Sequence, residues 1–311
     1  MRENKKTSMT YYFDPDIPRK SSNINGVIGN DEGGIPLPSL IEISVAGLCN
    51  RACSFCPHSD PNYPSVKAFI EPSLVKKIAN GLNDIGFKGQ ILYSGFGEPL
   101  LDKKIFNHIA TTRRILPNSR IELITNGDVL DEKRLQRLFE SGLSTLLISV
   151  YDGEKEEVAF HELCTKSGLR DDQFVIRPRY LPPEDDFGIT LTNRGGMMDD
   201  AEYAISSLNV YLKKPCFYPH YMMVIDYLGD ALLCPHDWGK KMILGNLKKQ
   251  SFQTIWTSER MNEIRSRLAK GKRTSQPCNT CDAKGTFMGK NHVKAWRQFN
   301  ESFSSKDGIR K

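Results

Sequence analysis

Short apolar runs alternate with longer stretches of helical periodicity along most of this chain. Ile41 to Ala46 is apolar for about the length of a strand, and helical spacing follows over Pro72 to Asp84. A second short run at Gln90 to Ser94 precedes another helical stretch at Lys103 to Leu116. The alternation continues with strands at Arg120 to Thr125 and Ser144 to Val150 and helices at Asp131 to Ser141 and Glu154 to Ser167. Further strands are expected at Gln173 to Arg177 and Gly188 to Thr192, which would complete six βα units. Such alternation implies parallel strands joined by right-handed crossovers, with both sheet faces covered. The fold class is therefore α/β, a partial (βα)6 TIM-like barrel with a smaller module behind it.

The pattern changes twice. Residues 1–37 are polar and punctuated by Pro15, Pro18, Pro36, Gly26, Gly29, Gly33 and Gly34, and read as an N-terminal arm over the barrel. Past Leu208 come short strands at Tyr221 to Ile225 and Ala231 to Leu233, then an amphipathic helix from Phe252 to Leu268. The expected division is an arm at 1–37, the barrel at 38–208, a C-terminal α+β module at 209–290 and a tail at 291–311.

A chain of 311 residues is long enough for a sizeable core and a second module. Its start, Met1-Arg2-Glu3-Asn4-Lys5-Lys6, has no apolar signal segment, and no run of about 18 apolar residues occurs. The expectation is a soluble, cytoplasmic protein with no membrane partner. Eight cysteines in that setting point to metals or catalysis rather than disulfides. The net charge is +6, with Lys and Arg gathered between Lys240 and Lys272. A solvated face explains that cluster better than nucleic acid, because no aromatic residues are interleaved as stacking platforms. No nucleic-acid partner is predicted.

The strongest chemical signal is Cys49-Asn50-Arg51-Ala52-Cys53-Ser54-Phe55-Cys56, directly after the first strand. Three thiolates at this spacing can converge on one inorganic centre, as in iron–sulfur clusters. A structural zinc site is the alternative, and it would want a fourth ligand such as His58. The C-x3-C-x2-C arrangement, with an aromatic before the last cysteine, resembles the signature of the radical S-adenosylmethionine (SAM) enzymes. The resemblance implies a [4Fe-4S] cluster held by Cys49, Cys53 and Cys56, its fourth iron chelated by the amino and carboxylate groups of SAM.

Gly95-Phe96-Gly97-Glu98-Pro99, after the second strand, resembles the family's G-G-E-P motif. Glycines there let backbone approach a ligand, and a carboxylate can accept from an ammonium group. Thr125-Asn126-Gly127, after the third strand, resembles the family's T-N-G, although Asn-Gly is also an ordinary turn. By the same resemblance Gly95, Gly97, Glu98, Thr125, Asn126 and Ser149 would contact SAM, Phe55 would pack near its adenine, and backbone around Ile189 to Leu191 would read the adenine edge. Arg194, in Asn193-Arg194-Gly195-Gly196, would pair with the SAM carboxylate or hold substrate oxygens through its planar fork.

Four further cysteines lie in the C-terminal module. Cys216 is followed by twelve residues, Gly229, four residues and Cys234, and later by Cys278 and Cys281 two residues apart. This resembles the auxiliary-cluster domain of the SPASM and twitch subfamily, in the abbreviated twitch form. The resemblance implies a second [4Fe-4S] cluster ligated by Cys216, Cys234, Cys278 and Cys281, with zinc again the alternative for four thiols. His220 and His236 are expected beside these ligands or at the surface.

Twitch relatives include dehydrogenases of amino-cyclitol alcohols. The implied activity is a radical SAM oxidoreductase acting on a polyol, amino sugar or nucleotide sugar, with the auxiliary cluster as electron acceptor. Epimerisation or dehydration of a sugar, modification of a peptide, and a non-catalytic electron carrier or zinc protein are the alternatives. A flavodoxin- or ferredoxin-type protein would be the reductant. Arg194 and Asp237 are candidates for helping the substrate hydroxyl lose its proton. Cys164, outside both sets, is either a small core hydrophobe or a hydrogen-atom donor that would make the enzyme an epimerase.

Overall fold

The computed structural model describes residues 14, 16–26 and 28–307, with side chains to 302. Helix α1 (Asp16–Asn25) precedes strand β1 (Leu40–Ile43), and α2 (Pro72–Asp84) leads to β2 (Gln90–Tyr93). Then follow α3 (Ile105–Ile115), β3 (Arg120–Thr125), α4 (Glu132–Glu140), β4 (Thr145–Val150), α5 (Glu154–Lys166) and β5 (Phe174–Pro178). The remaining elements are α6 (Tyr218–Tyr221), β6 (Met222–Ile225), β7 (Asp230–Leu232), β8 (Ile243–Asn246), α7 (Phe252–Trp256), α8 (Glu259–Ala269) and α9 (Lys290–Asp307).

One eight-stranded sheet runs in the order β5-β4-β3-β2-β1-β6-β7-β8. It is parallel from β5 to β6 and antiparallel from β6 to β8. The partial barrel therefore has its six parallel strands, but the sixth is not the one expected. Residues 188–192 do not form a strand. Asp186 and Phe187 take positive φ (51° and 54°), and Gly188 (φ 76°) presses so closely on β5 that a Cβ there would lie 2.4 Å from the Pro178 carbonyl oxygen. The chain folds back over β5, and β6, expected within the separate module, pairs with β1 in the register Leu40↔Met222 to Ile43↔Ile225. The helix expected over 252–268 is two helices, because the Ser258 hydroxyl caps α8 by accepting from the Met261 N–H at 3.2 Å.

Alternation along the strands sorts the two faces. Ile41, Ile43, Ile91, Tyr93, Ile121, Leu123, Leu146 and Ile148 face outward into the large core with α2, α3 and α4. Leu40, Leu92, Met222 and Val224 face inward, where they meet Ile24 of α1. The N-terminal arm thus contributes a helix to the barrel interior. Arg19 of α1 reaches Glu122 of β3 at 2.6 and 3.0 Å. At the other end of the chain, the expected tail is α9, whose Trp296 packs with Trp256 about the Arg265 guanidinium, 3.7 and 4.1 Å from the two rings.

Candidate functional site

The cysteine loop leaves the C-terminal end of β1, and Cys49, Cys53, Phe55 and Cys56 line a cavity of about 270 Å³ there. Burial pushes the thiols of Cys49 and Cys53 up, to about 11 and about 12, and the neighbouring cysteines push further in the same direction. Thiols arranged this way need a cation to become thiolates, which iron would supply. Among the described residues no three Cys, His, Asp or Glu side chains close on a single ion.

The ends of β2, β3 and β4 complete the cavity wall with Gly95, Gly97, Glu98, Thr125, Asn126 and Ser149. Gly97 is forced by close approach: a Cβ would lie 2.4 Å from the Leu48 carbonyl oxygen and 2.6 Å from that of Ala46. Glu98 is already engaged. Its carboxylate accepts from the Leu100 N–H (2.9 Å), the Thr125 hydroxyl (2.6 Å) and the Asn126 N–H (2.8 Å), tying the end of β2 to the end of β3. Burial nevertheless raises Glu98 to about 7 against those hydrogen bonds. Phe55 packs on Phe187 at 4.8 Å between ring centres.

Sequence reasoning missed Arg51. It joins the cysteine loop to the loops after β3 and β4 through Asp128 at 2.5 Å and Asp152 at 2.8 Å. Its position inside the C-x3-C segment was the available signal.

Behind this outer cavity lies an inner one of about 240 Å³. The two share a wall that includes Glu42, Ser94, Ile124, Arg177, Arg194 and Pro235. The inner cavity is bounded by Ile17, Lys20 and Ile24 of α1 on one side and by Tyr218, His236, Ala283 and Gly285 of the C-terminal module on the other. Arg194 faces both cavities, with a left-handed backbone (φ 49°) and an Nε that has no hydrogen-bond partner among the described residues. Glu42 and Arg177 were not singled out from sequence. Their signal was a charge at an inward position of an apolar strand, where it is seldom left without a task.

Cys216, Cys234 and Cys281 are buried and Cys278 is partly so. Burial first, then the other three thiols, raises Cys234 well above the ordinary thiol range, so the four lie within interaction distance of one another. Arg273, also missed from sequence, donates to the carbonyls of Lys214, Ala283 and Pro215 at 2.9, 2.7 and 2.9 Å and stands beside this group. Gly285 is needed there, since a Cβ would lie 2.6 Å from the Cys216 sulfur. His220 and His236 are both buried, and His236 is held between the Thr192 and Tyr218 hydroxyls at 3.1 Å each.

Two candidates are not brought to the cavities. Cys164 is fully buried on α5 in the outward core, with the sheet between it and the barrel interior. Asp237 accepts from the Lys241 and Met242 N–H groups at 2.7 and 2.8 Å and closes the turn before β8, lining neither cavity.

Residues 43–174 match the radical SAM superfamily, and residues 216–282 match the SPASM iron-sulfur cluster-binding domain. The S-adenosyl-L-methionine-dependent 2-deoxy-scyllo-inosamine dehydrogenase of Niallia circulans is 32% identical over 245 residues, 78% of this chain and 92% of that protein. The crystal structure of BtrN in complex with AdoMet and 2-DOIA superposes with a TM-score of 0.67 at 30% identity, covering 79% of this chain and 94% of that one. BtrN in an open conformation gives a TM-score of 0.58 at 27% identity, over 83% and 97% of the two chains. No helix among the described residues is long and apolar enough to cross a membrane.

Proposed function

This chain belongs to the radical SAM superfamily and carries its SPASM iron-sulfur domain, and from that premise we propose that it oxidises a secondary alcohol of an amino-cyclitol or related polyol. It is a SAM-dependent oxidoreductase with two iron–sulfur clusters. When bound, SAM and its cluster supply a 5′-deoxyadenosyl radical that takes hydrogen from carbon, and the auxiliary cluster supplies an electron acceptor. Cys49, Cys53 and Cys56 would hold the first cluster in the segment 38–208, and Cys216, Cys234, Cys278 and Cys281 the second in 209–290. Phe55 and Ser149 would seat the nucleoside part of SAM, while Glu98, Thr125 and Asn126 fix the loops around it. A flavodoxin- or ferredoxin-type protein would deliver the priming electron in a reducing, cytoplasmic setting, as eight free cysteines suit.

The observation that carries this reading is the placement of the inner cavity between the two thiol sets, walled by the SAM-side residues on one face and by neighbours of Cys216, Cys234 and Cys281 on the other. A substrate there has the hydrogen-abstracting centre on one side and the electron acceptor on the other. At about 240 Å³, and closed on one side by α1, the cavity suits a small polyol better than a peptide. The epimerase alternative loses its hydrogen-atom donor, because Cys164 lies outside the barrel.

The test is anaerobic reconstitution with iron and sulfide, followed by SAM, a reductant and 2-deoxy-scyllo-inosamine, other cyclitols, nucleotide sugars or short peptides in turn. Release of 5′-deoxyadenosine above background, matched by a product two hydrogens lighter, is expected with a cyclitol. Release with peptides alone would overturn the reading.

A further inference from the structure

On the polyol reading, the oxidised carbon would sit at the wall the two cavities share, its C–H bond toward the outer cavity and the rest of the substrate in the inner one, so that the hydroxyl on that same carbon would also meet the wall. The ionisable side chains there are Glu42, Arg177 and Arg194. A guanidinium does not accept a proton. Ser94, Ile124, Ile189 and Pro235 provide no base either.

Glu42 points inward from β1, is 7% exposed, and forms no ion pair among the described residues. The other bases of the inner cavity are engaged: Asp14 binds Arg179 at 2.7 Å, and both ring nitrogens of His236 are taken by Thr192 and Tyr218. We propose that Glu42 is the base that receives the substrate hydroxyl proton, an inference resting on the polyol reading above. A Glu42 Oε would take the hydroxyl proton, while bound SAM and its cluster would supply the acceptor of the carbon's hydrogen atom and the auxiliary cluster the acceptor of the remaining electron as the C=O bond forms. One hydrogen atom, one proton and one electron would leave the alcohol, at the cost of one SAM.

The groups facing Glu42 are Lys20 of α1, Ser94 after β2, Arg177 of β5, Arg194 and Tyr221 of α6. Burial outweighs the help of Lys20, Ser94 and Arg194 and raises the carboxyl to about 7, where a general base works at neutral pH.

Wild type, Glu42→Gln and Glu42→Asp, each reconstituted with iron, sulfide and SAM, would be assayed for 5′-deoxyadenosine and ketone across pH with the cyclitols named above. Wild-type ketone formation is expected to rise with pH along a limb set by one deprotonation. Glu42→Gln should lose ketone formation by about 100-fold and lose the limb, while releasing 5′-deoxyadenosine without matching ketone. A second readout is independent of turnover: infrared difference spectra across neutral pH should show two carboxylic acids ionising in wild type, Glu42 and Glu98, and only the Glu98 signal in Glu42→Gln. Oxidation by Glu42→Gln at the wild-type rate, with its pH limb intact, would overturn the proposal alone. If Glu42→Gln takes up no iron, Glu42→Asp decides, a displaced limb supporting the proposal and an unchanged one overturning it. A wild type that oxidises no cyclitol would remove the polyol reading itself and this proposal with it.

Discussion

Arg19 and Glu122 form a bidentate ion pair, 2.6 and 3.0 Å, that fastens the N-terminal helix to the inner face of the barrel. Glu122 is fully buried and also accepts from Gln90 (2.7 Å) and Arg120 (2.6 Å), so its carboxylate is satisfied from one helix and two strands at once. Arg19→Ala would remove one cation and leave the other two donors. The expected cost is about 2–3 kcal/mol, below that of breaking a wholly isolated buried pair. Because α1 also bounds the inner cavity, substrate KM should rise more than SAM affinity falls. Chemical denaturation and steady-state kinetics of the variant check both. Unchanged stability would mean that the helix is not held by this pair.

The two cysteine sets should separate by function. Cys53→Ala is expected to abolish SAM cleavage, whereas Cys278→Ala should still release 5′-deoxyadenosine but form no ketone. Each variant should retain roughly half of the reconstituted iron, since the sets hold separate clusters. Iron and sulfide analysis with product quantitation reads this directly. Ketone formation by Cys278→Ala at the wild-type rate would contradict the role of the second set as electron acceptor.

Gly97→Ala tests the close approach of the two loops. The new methyl group would meet backbone oxygens of Ala46 and Leu48, which cannot swing away as a side chain would. The loop carrying Cys49 must shift, and SAM affinity should fall at least about tenfold, a displacement worth about 1.4 kcal/mol. Equilibrium binding of SAM to the reconstituted variant measures it.

Cys164→Ala should leave both SAM cleavage and ketone formation unchanged and cost about 1–2 kcal/mol from lost packing in the outward core. The measurement is a denaturation midpoint beside the product assay. Loss of turnover with intact stability would restore a chemical role for this thiol.

Much of the outer cavity was legible because its parts are local. Cys49, Cys53 and Cys56 lie in one loop, and Gly97-Glu98 and Asn126-Gly127 each follow their own strand, so position along the chain already implies position at the strand ends. The inner cavity was less legible because it is assembled across the chain. That Met222 pairs with Leu40, and that Ile24 packs against both, depends on contacts between segments nearly two hundred residues apart in a chain of 311. The run from Gly188 to Thr192 looks like a strand by composition, and the left-handed turn at Asp186 and Phe187, which diverts it, is hidden by Phe187, a bulky residue that seldom takes positive φ. Asp237 was chosen for its carboxylate, and only the folded chain shows that backbone donors have claimed it.

Glu42 should also reveal itself in stability. Burial raises its carboxyl from an ordinary 4.5 to about 7, so between those values the folded protein holds a proton that the unfolded chain has released. Proton linkage then makes stability fall as pH rises through that window and level off above it, with a contribution on the order of 3 kcal/mol. Glu98 is raised to about 7 as well and contributes a slope of the same sign. Glu42→Gln removes one of these two contributions and keeps a neutral side chain of nearly the same shape. The variant should match wild type in mild acid and become more stable than it above neutral pH, the gap opening across the titration window. Denaturant midpoints of the two reconstituted proteins over that range provide the comparison, and parallel curves would show that Glu42 is ionised in the folded state throughout.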